Sequence, residues 1–205
     1  MIPNIKEFLY TVFGYVYIPD ELLGSKEKIL LHISDTPVCF YPELRRLIKK
    51  LNPQYIIHTG DMVDNIKLEL FPNSTPIYEK YVKKLLQIME DTSAETILAL
   101  GNHDDLEIVK KHSKKSRIIE KSETVEIEKL SFKISHYSEE IIKSPAEYNL
   151  YGHDLFVKSG CSDGRMYFNG ISSINIIGLD SGTHFCLFYS AETDAARMGR
   201  GKIGL

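Results

Sequence analysis

The chain has 205 residues, of which 43% are hydrophobic, and its formal net charge is −3 at pH 7. A chain of this size can bury about 70% of its unfolded surface, so we expect one domain over 1–205, with 1–24 as an amino-terminal helical extension. The slightly negative charge excludes a general attraction for nucleic acid or anionic membranes, and we expect stable binding to neither.

The cysteines and the amino-terminal apolar patch indicate the cell compartment. Cys39, Cys161 and Cys186 are odd in number and widely spaced, which does not suggest a disulfide framework. The apolar patch 8–18 is too short to span a bilayer and lacks the small-residue cleavage site of a signal peptide. We therefore expect a cytoplasmic protein with no membrane anchor.

The first predicted element is an amphipathic helix over 4–16. Its apolar residues recur at helical spacing, at Ile5, Phe8, Leu9 and Phe13. We expect this helix to pack on the outside of the domain, where it could also dock a partner. A homodimer is the arrangement that this helix makes plausible.

Apolar runs and amphipathic segments then alternate as far as residue 116. The runs predict strands at 28–34, 54–58 and 95–100, and the segments between them predict helices at 41–51, 76–89 and 105–111. Such alternation implies a largely parallel sheet, whose functional loops follow the carboxyl ends of the strands.

The second half of the chain has a different texture. Short strand-like segments separated by turns occur at 117–120, 124–128, 131–135, 165–168, 173–179 and 185–189. They suit a second sheet packed against the first. The tail 197–205 is rich in glycine and basic residues, and we expect it to be a loose end.

Residues of the metal-ligand type follow the first three predicted strands. They are Asp35, then Gly60-Asp61-Met62-Val63-Asp64, then Gly101-Asn102-His103-Asp104, and they are followed later by His136 and Gly152-His153. Carboxylate and amide oxygens suit hard divalent cations, and imidazole adds a preference for transition metals. The pattern predicts a metal site at the carboxyl edge of the sheet.

In this order the motifs resemble the calcineurin-like metallophosphoesterase pattern, Asp … Gly-Asp-x-x-Asp … Gly-Asn-His-Asp/Glu … His … Gly-His, over 35–153. The resemblance implies an α/β (α+β) fold in which two mixed β-sheets pack as a sandwich flanked by helices. It also implies a phosphoesterase that hydrolyses a phosphomonoester or phosphodiester by metal-activated water, and the compact length suggests a small bacterial-type or phage-type member acting on a small molecule or nucleotide.

The resemblance also implies a set of metal ligands. Asp35 would hold the first metal, Asp61 would bridge two metals, and Asn102, His136 and His153 would complete the second site. We expect Mn²⁺, while Fe²⁺, Mg²⁺, Zn²⁺ and Ni²⁺ suit the same donors. Two cations of this kind neutralise phosphoryl oxygens and make hydroxide available near neutral pH.

His103 is not a ligand in the family scheme. There it would face the leaving-group oxygen as a general acid or transition-state stabiliser. Asp64 or Asp104 could accept a hydrogen bond from its second ring nitrogen, and we favour Asp64. His32 and His58 lie inside predicted buried strands, so we expect them to be hydrogen-bonded core groups.

Two departures from the family pattern affect the first metal. Many members have a histidine two residues after the first aspartate, where this chain has Pro37, and another two residues after the final Gly-His, where it has Leu155. We expect a first site that binds metal weakly, retains more water, or uses a substitute such as Asp154. The second site would be the tight one.

Other features bear on the branch of the family and on activity. The single histidine of the last motif and the segment 178–182 resemble protein-phosphatase-like and diadenosine-tetraphosphatase-like branches. Asn65 stands where protein-phosphatase-like enzymes carry an arginine that grips phosphate. The alternative function is a degenerate, non-catalytic metal-binding module that recognises a phosphorylated ligand, which the missing histidines favour and the retained His103 disfavours.

Overall fold

Strands and helices alternate along the first half of the chain in the computed structural model, which describes residues 5–198. The helices are α1 (Ile5–Val12), α2 (Asp20–Gly24), α3 (Tyr41–Leu51), α4 (Thr75–Glu90), α5 (Leu106–His112), α6 (Ser138–Lys143) and α7 (Ala191–Met198). The strands are β1 (Ile29–Ile33), β2 (Tyr55–His58), β3 (Glu95–Ala99), β4 (Arg117–Ile119), β5 (Ser122–Ile127), β6 (Leu130–Ser135), β7 (Tyr148–Tyr151), β8 (Gly160–Ser162), β9 (Arg165–Asn169), β10 (Ile174–Gly178) and β11 (His184–Leu187).

The strands form two mixed sheets. The first has the order β11-β10-β1-β2-β3-β4, and the second has the order β5-β6-β7-β9-β8. Strands β1 to β4 run parallel to one another, as do β6, β7 and β9. Strand β10 runs antiparallel to β1, and the hairpins β5–β6, β8–β9 and β10–β11 are antiparallel. This arrangement confirms the predicted fold class of two mixed sheets flanked by helices.

Two hydrophobic cores hold the layers together. Between the sheets, Leu30 and Ile57 of the first pack with Phe132 and Leu150 of the second, and all four are fully buried. The opposite face of the first sheet packs against α3 and α4. Because β1 is covered on both faces, all five of its residues are buried, which explains its uninterrupted apolar sequence.

The helix ends follow from local sequence. Pro42 stands in the first turn of α3, where the missing N–H costs no hydrogen bond. The helix ends at Asn52, whose left-handed backbone (φ 45°) lets its N–H donate to the carbonyl of Ile48 at 2.8 Å. These ends return the chain to the sheet so that β2 lies parallel to β1.

The amino-terminal helix is shorter than predicted. It begins no later than Ile5 and ends at Val12, just before Gly14, whose φ of 83° is incompatible with a helix. None of its residues is buried, and Ile5 and Phe13 are 80% and 72% exposed. Asn4 lies outside the described residues. The homodimer and the 1–24 extension as a separate unit stay predictions.

The carboxyl-terminal segment corrects another expectation. Arg197, placed by sequence in a loose tail, lies buried in α7. Its guanidinium donates to the carbonyls of Asp35 (2.7 Å), Ser34 (2.8 Å) and Ile171 (2.9 Å), and it covers the Tyr189 ring at 3.7 Å. These partners anchor the helix. The rest of the predicted tail, 199–205, is outside the described residues.

Two further expectations concern the cell compartment. The three cysteines, Cys39, Cys161 and Cys186, are free thiols. Within residues 5–198, none of the helices has both the length and the apolar character needed to span a bilayer.

Candidate metal centre

The predicted ligands lie on loops at the carboxyl ends of five strands. Asp35 follows β1, Asp61 follows β2, Asn102 follows β3, His136 follows β6 and His153 follows β7. The first three of these strands are neighbours in one parallel run, and β6 and β7 are parallel neighbours in the other sheet. Parallel neighbours end at one edge, so the sandwich brings all five loops to the same place.

Asp35, Asp61 and His136 form the centre of this arrangement. Each offers one ligand atom, and these atoms all lie within 4.8 Å of one another. Nε2 of His136 is 3.7 Å from Oδ1 of Asp61. All three side chains are buried, so their polar atoms are set by the fold rather than by solvent.

A backbone carbonyl determines which ring nitrogen of His136 carries the proton in the neutral ring. Its Nδ1 lies 2.7 Å from the carbonyl oxygen of Thr59, which can only accept, so Nδ1 carries the proton. In the neutral ring Nε2 then has its lone pair directed towards Asp61, the arrangement usual for a metal-ligating histidine. Nδ1 of His153 is 3.2 Å from the same Nε2, so two ring nitrogens converge on one position.

The pKa values of the two rings are shifted in opposite directions. Burial lowers the pKa of His136, but the carboxylates of Asp35 and Asp61 outweigh it, and the net pKa is raised. Burial and then the neighbouring His136 lower the pKa of His153. A cation-binding His153 would therefore be neutral, as ligation requires.

Three of the predicted ligands sit on left-handed backbone. The φ angles are 47° at Asp35, 53° at Asp61 and 69° at His153. Aspartate and histidine tolerate this region better than most residues. The first two loops hold each other in place, because the N–H of Asp35 donates to the carbonyl of Gly60 at 2.9 Å and that of Thr36 donates to Asp61 at 3.0 Å.

Two glycines make room for these side chains. Gly60 has a φ of 96°, and a Cβ there would lie 2.5 Å from Nδ1 of His136. A Cβ at Gly152 would collide with Oγ of Ser34 and lie 2.6 Å from Oδ2 of Asp35. The glycines of these motifs are therefore required by close approach to the centre.

Asn102 presents an acceptor with no protein partner. Its amide nitrogen donates to Oε2 of Glu69 at 2.6 Å. Its Oδ1 is one of two buried side-chain oxygens or nitrogens left without a hydrogen bond in the part of the chain that the structure describes. A buried, unsatisfied carbonyl costs about 1–3 kcal/mol, which a cation at this position would offset.

The ring of His103 lies beside this amide. Its nitrogens are 3.1 and 3.4 Å from Nδ2 of Asn102, and Nδ1 is 3.9 Å from Oε2 of Glu69. Its backbone N–H donates to Oδ1 of Asp61 at 3.1 Å. Burial, followed by the charge of Lys67, lowers the pKa of His103 to about 4, so the ring is neutral near pH 7.

The carboxylate of Asp104 has partners other than the expected His103 ring. It accepts the backbone N–H groups of Asp61 (2.8 Å), Met62 (2.9 Å) and Gly101 (2.9 Å) and the hydroxyl of Tyr78 (3.0 Å). Four donors saturate its two oxygens. Asp104 therefore ties the loop after β2 to the loop after β3.

Asp64 likewise has a partner other than His103. Its Oδ1 pairs with the ammonium of Lys67, and Nζ of that lysine is also 3.7 Å from Oδ2 of Asp61. Burial lowers the pKa of Lys67, but Asp64 and Asp61 more than offset it, so the net pKa is raised. Burial and then Asp35 raise the pKa of Asp61 to about 8.

Four residues of the centre were missed by sequence reasoning. Lys67 and Glu69 arrive on the segment between Asp64 and α4. Tyr137 places its ring 4.9 Å from the rings of both His136 and His153, and Arg197 supports the backbone of Asp35. Of these four residues, only Lys67 could have been suspected from the sequence, because it is a single basic residue three positions after the motif residue Asp64.

The positions of the missing family histidines supply no replacement ligand. Pro37 precedes a 3-10 turn at Val38–Phe40. Leu155 is 44% exposed. Oδ1 of Asp154 accepts from the N–H of Phe156 at 2.9 Å and Oδ2 from the hydroxyl of Ser138 at 3.1 Å, so this carboxylate links its own loop to the start of α6.

His32 and His58 are core groups, as predicted. Both are fully buried, and burial lowers the pKa of each to about 3. Nε2 of His32 is 3.0 Å from Oγ1 of Thr59, and Nε2 of His58 is 2.8 Å from Oγ1 of Thr36. Through these contacts the two histidines support the loops of the centre that contain Thr59 and Thr36.

Comparison with known proteins agrees with this geometry. The family model for calcineurin-like phosphoesterases matches residues 29–188. Among solved structures, an archaeal phosphodiesterase is 19% identical with a TM-score of 0.55, over 78% of this chain and 99% of that one. The E. coli phosphoesterase Yfce is 14% identical with a TM-score of 0.50, over 79% of this chain and 99% of that one. A search of curated protein sequences found no relative.

The match covers both sheets and all five loops of the centre. The family uses divalent metal ions, and Asp35, Asp61 and His136 are a candidate site for one. The resemblance inferred from the motifs is thereby confirmed, and the chain belongs to the calcineurin-like phosphoesterase family.

Proposed function

We propose that this protein hydrolyses a phosphomonoester or phosphodiester of a small molecule with a divalent cation held by Asp35, Asp61, Asn102, His136 and His153. The observation that carries the proposal is the convergence of Asp35, Asp61 and His136 within 4.8 Å at the strand edge. The unsatisfied oxygen of Asn102 supports a cation there independently. We propose Mn²⁺ as the ion and a reducing cytoplasm as the compartment, since mixed oxygen and imidazole donors suit Mn²⁺ and the cysteines are free.

A cation bound here would supply the positive charge that stabilises phosphoryl oxygens and provides hydroxide near neutral pH. The protein's own contribution is orientation. Thr59 holds the His136 ring with its Nε2 lone pair inward, and the backbone of His103 holds Asp61 through Oδ1. Both contacts are present before any substrate arrives, so little reorganisation is required.

We propose that His103 hydrogen-bonds the leaving-group oxygen. The low pKa of His103 makes the neutral ring the resting form, so the ring acts as an N–H donor rather than as a charged acid. Glu69, with Oε2 3.9 Å from Nδ1, favours a proton on that nitrogen, and Nδ1 is then the single N–H that donates to the leaving group. In this proposal Glu69, rather than Asp64 or Asp104, is the carboxylate that sets the position of the ring proton.

The test is hydrolysis of p-nitrophenyl phosphate and of bis(p-nitrophenyl) phosphate with Mn²⁺. We expect Asp61→Asn to lose both Mn²⁺ binding and turnover. His103→Ala should keep Mn²⁺ binding and lose about 10²–10⁴-fold in kcat, the usual contribution of a positioned proton donor. His112→Ala is the matched control, since His112 pairs with Glu79 at the end of α5.

The same assay separates the enzyme from a non-catalytic module. Pro37 and Leu155, which stand where many family members have ligands, are the observations that favour such a module. A wild-type protein that binds Mn²⁺ and a phosphorylated ligand but turns over neither ester, with any of several divalent metals, would reject the enzyme and support the module.

A further inference from the structure

The first of the family's two cation sites lacks two of its usual protein ligands in this chain. The first-site positions hold Pro37, which has no ligating side-chain atom, and Leu155, which is apolar. The nearby carboxylate of Asp154 accepts from Phe156 in its own loop and from Ser138 at the start of α6. Only Asp35 and the shared Asp61 remain as protein ligands for a first cation among the residues that the structure describes.

The two oxygens of Asp61 face different groups. Oδ1 lies 3.7 Å from Nε2 of His136 and accepts the N–H of His103 at 3.1 Å. Oδ2 lies 3.7 Å from Nζ of Lys67. A carboxylate that the family uses to bridge two cations therefore has an imidazole at one oxygen and an ammonium at the other.

Lys67 is built into the centre and is not a surface lysine. Its side chain is only 27% exposed, against 65% for Lys111. It pairs with Asp64 as well as Asp61, and these side chains are only 5% and 4% exposed. An ammonium held by two buried carboxylates is weakly screened by solvent, so its charge acts strongly on the neighbouring site.

We infer that the Lys67 ammonium takes the place of the first metal ion, so that the centre holds one divalent cation on the His136 side of Asp61. This inference rests on the proposed phosphoester hydrolysis and deepens it. A second dication on Oδ2 of Asp61 would be repelled by the ammonium and would have to compete for Asp64. Lys67 would instead offer its N–H donors to a phosphoryl oxygen, as lysine does in many phosphate sites.

The inference predicts a metal stoichiometry. Metal-stripped protein is titrated with Mn²⁺ by calorimetry, and the bound ions are observed by electron paramagnetic resonance. We expect the wild type to bind one Mn²⁺ per chain, with the spectrum of an isolated ion. Lys67→Arg, which keeps the charge, should behave in the same way.

Removal of the charge should open the second position. In Lys67→Met, the carboxylates of Asp61 and Asp64 lose their cation and become available with Asp35, so we expect a second Mn²⁺ and the spectrum of a spin-coupled pair. Lys111→Met is the matched control, because Lys111 makes a surface ion pair with Glu79. It removes the same charge and should leave the stoichiometry at one ion.

Two results would overturn the inference. One is a spin-coupled pair of ions in the wild type, which decides the matter even if Lys67→Met fails to fold. The other is a folded Lys67→Met protein that binds a single ion as the wild type does. Hydrolysis is measured separately: turnover with two ions in the wild type would refute the role of Lys67 alone, and one bound ion without turnover would refute the proposed hydrolysis alone.

Discussion

Asp104→Asn should destabilise the metal-free protein by about 3 kcal/mol. Each carboxylate oxygen of Asp104 accepts two hydrogen bonds, from Asp61 and Gly101 on Oδ2 and from Met62 and Tyr78 on Oδ1. The amide keeps only one acceptor atom. With its nitrogen turned towards Met62 and Tyr78, the Met62 N–H loses its acceptor while the Tyr78 hydroxyl can accept from the amide instead. Loss of one hydrogen bond to a charged group costs about 1.5–3 kcal/mol, and the remaining bonds lose their charge assistance, which favours the upper end of this range.

Urea unfolding of the metal-free variant, followed by circular dichroism, measures this loss. Asp163→Asn is the control, because Asp163 is exposed in the β8–β9 turn and asparagine accepts its φ of 51° equally well. In a double-mutant cycle, Tyr78→Phe should cost less in the Asp104→Asn background than alone, since the two side chains share a hydrogen bond. A loss below about 1 kcal/mol for Asp104→Asn would refute the assignment of Asp104 as the tie between the two loops.

Further predictions concern metal binding and its support. Asn102→Leu should weaken Mn²⁺ binding at least about tenfold, or ~1.4 kcal/mol, in calorimetry, while the metal-free protein melts no earlier; unchanged affinity would remove Asn102 from the ligand set. Because the pKa of Asp61 is raised to about 8 in the metal-free protein and a ligand must be deprotonated, Mn²⁺ affinity should fall as the pH is lowered below 8. Titrations in buffers of different ionisation enthalpy should show proton release at pH 7, and none would contradict this assignment. Arg197→Lys keeps the charge but cannot serve three carbonyls at once, so it should lower both the melting temperature and Mn²⁺ affinity; an effect on neither would show that α7 does not support Asp35.

The sheet edge and its five loops were predictable because strand order and motif order coincide. The apolar runs before Asp35, Asp61 and Asn102 identify parallel strands, and parallel strands place the residues that follow them side by side. The positions of His136 and His153 came from the family pattern, since their strands carry weaker signals. Strand β7, which directs His153, was not predicted at all, because Tyr148–Tyr151 is short and includes a buried asparagine.

The partners of the charged residues could not be read from the sequence. Asp64 and Asp104 are motif residues with several acceptable partners, and only the folded loops decide that one meets Lys67 and the other meets backbone N–H groups. Arg197 looked like part of a basic tail because two of its three acceptors are carbonyls about 160 positions away, and carbonyls have no sequence signature. A sequence motif identifies side chains, so it cannot predict which backbone groups those side chains contact.

These backbone contacts also explain how the ligands can be held in position without a metal. Asp35, Asp61 and His153 occupy left-handed backbone, and such positions in non-glycine residues cost about 1–3 kcal/mol each unless surrounding bonds impose them. The imposing bonds are present within the protein: Arg197 holds the carbonyl of Asp35, and Asp104 holds the N–H of Asp61. The free-energy cost of the left-handed backbone is therefore offset by interactions of the folded protein, including its two hydrophobic cores. A cation that enters the centre would find the proposed ligands already in place. A binding site arranged in this way adds its binding free energy to a protein that is already folded, unlike small domains whose ligands converge only when the metal binds.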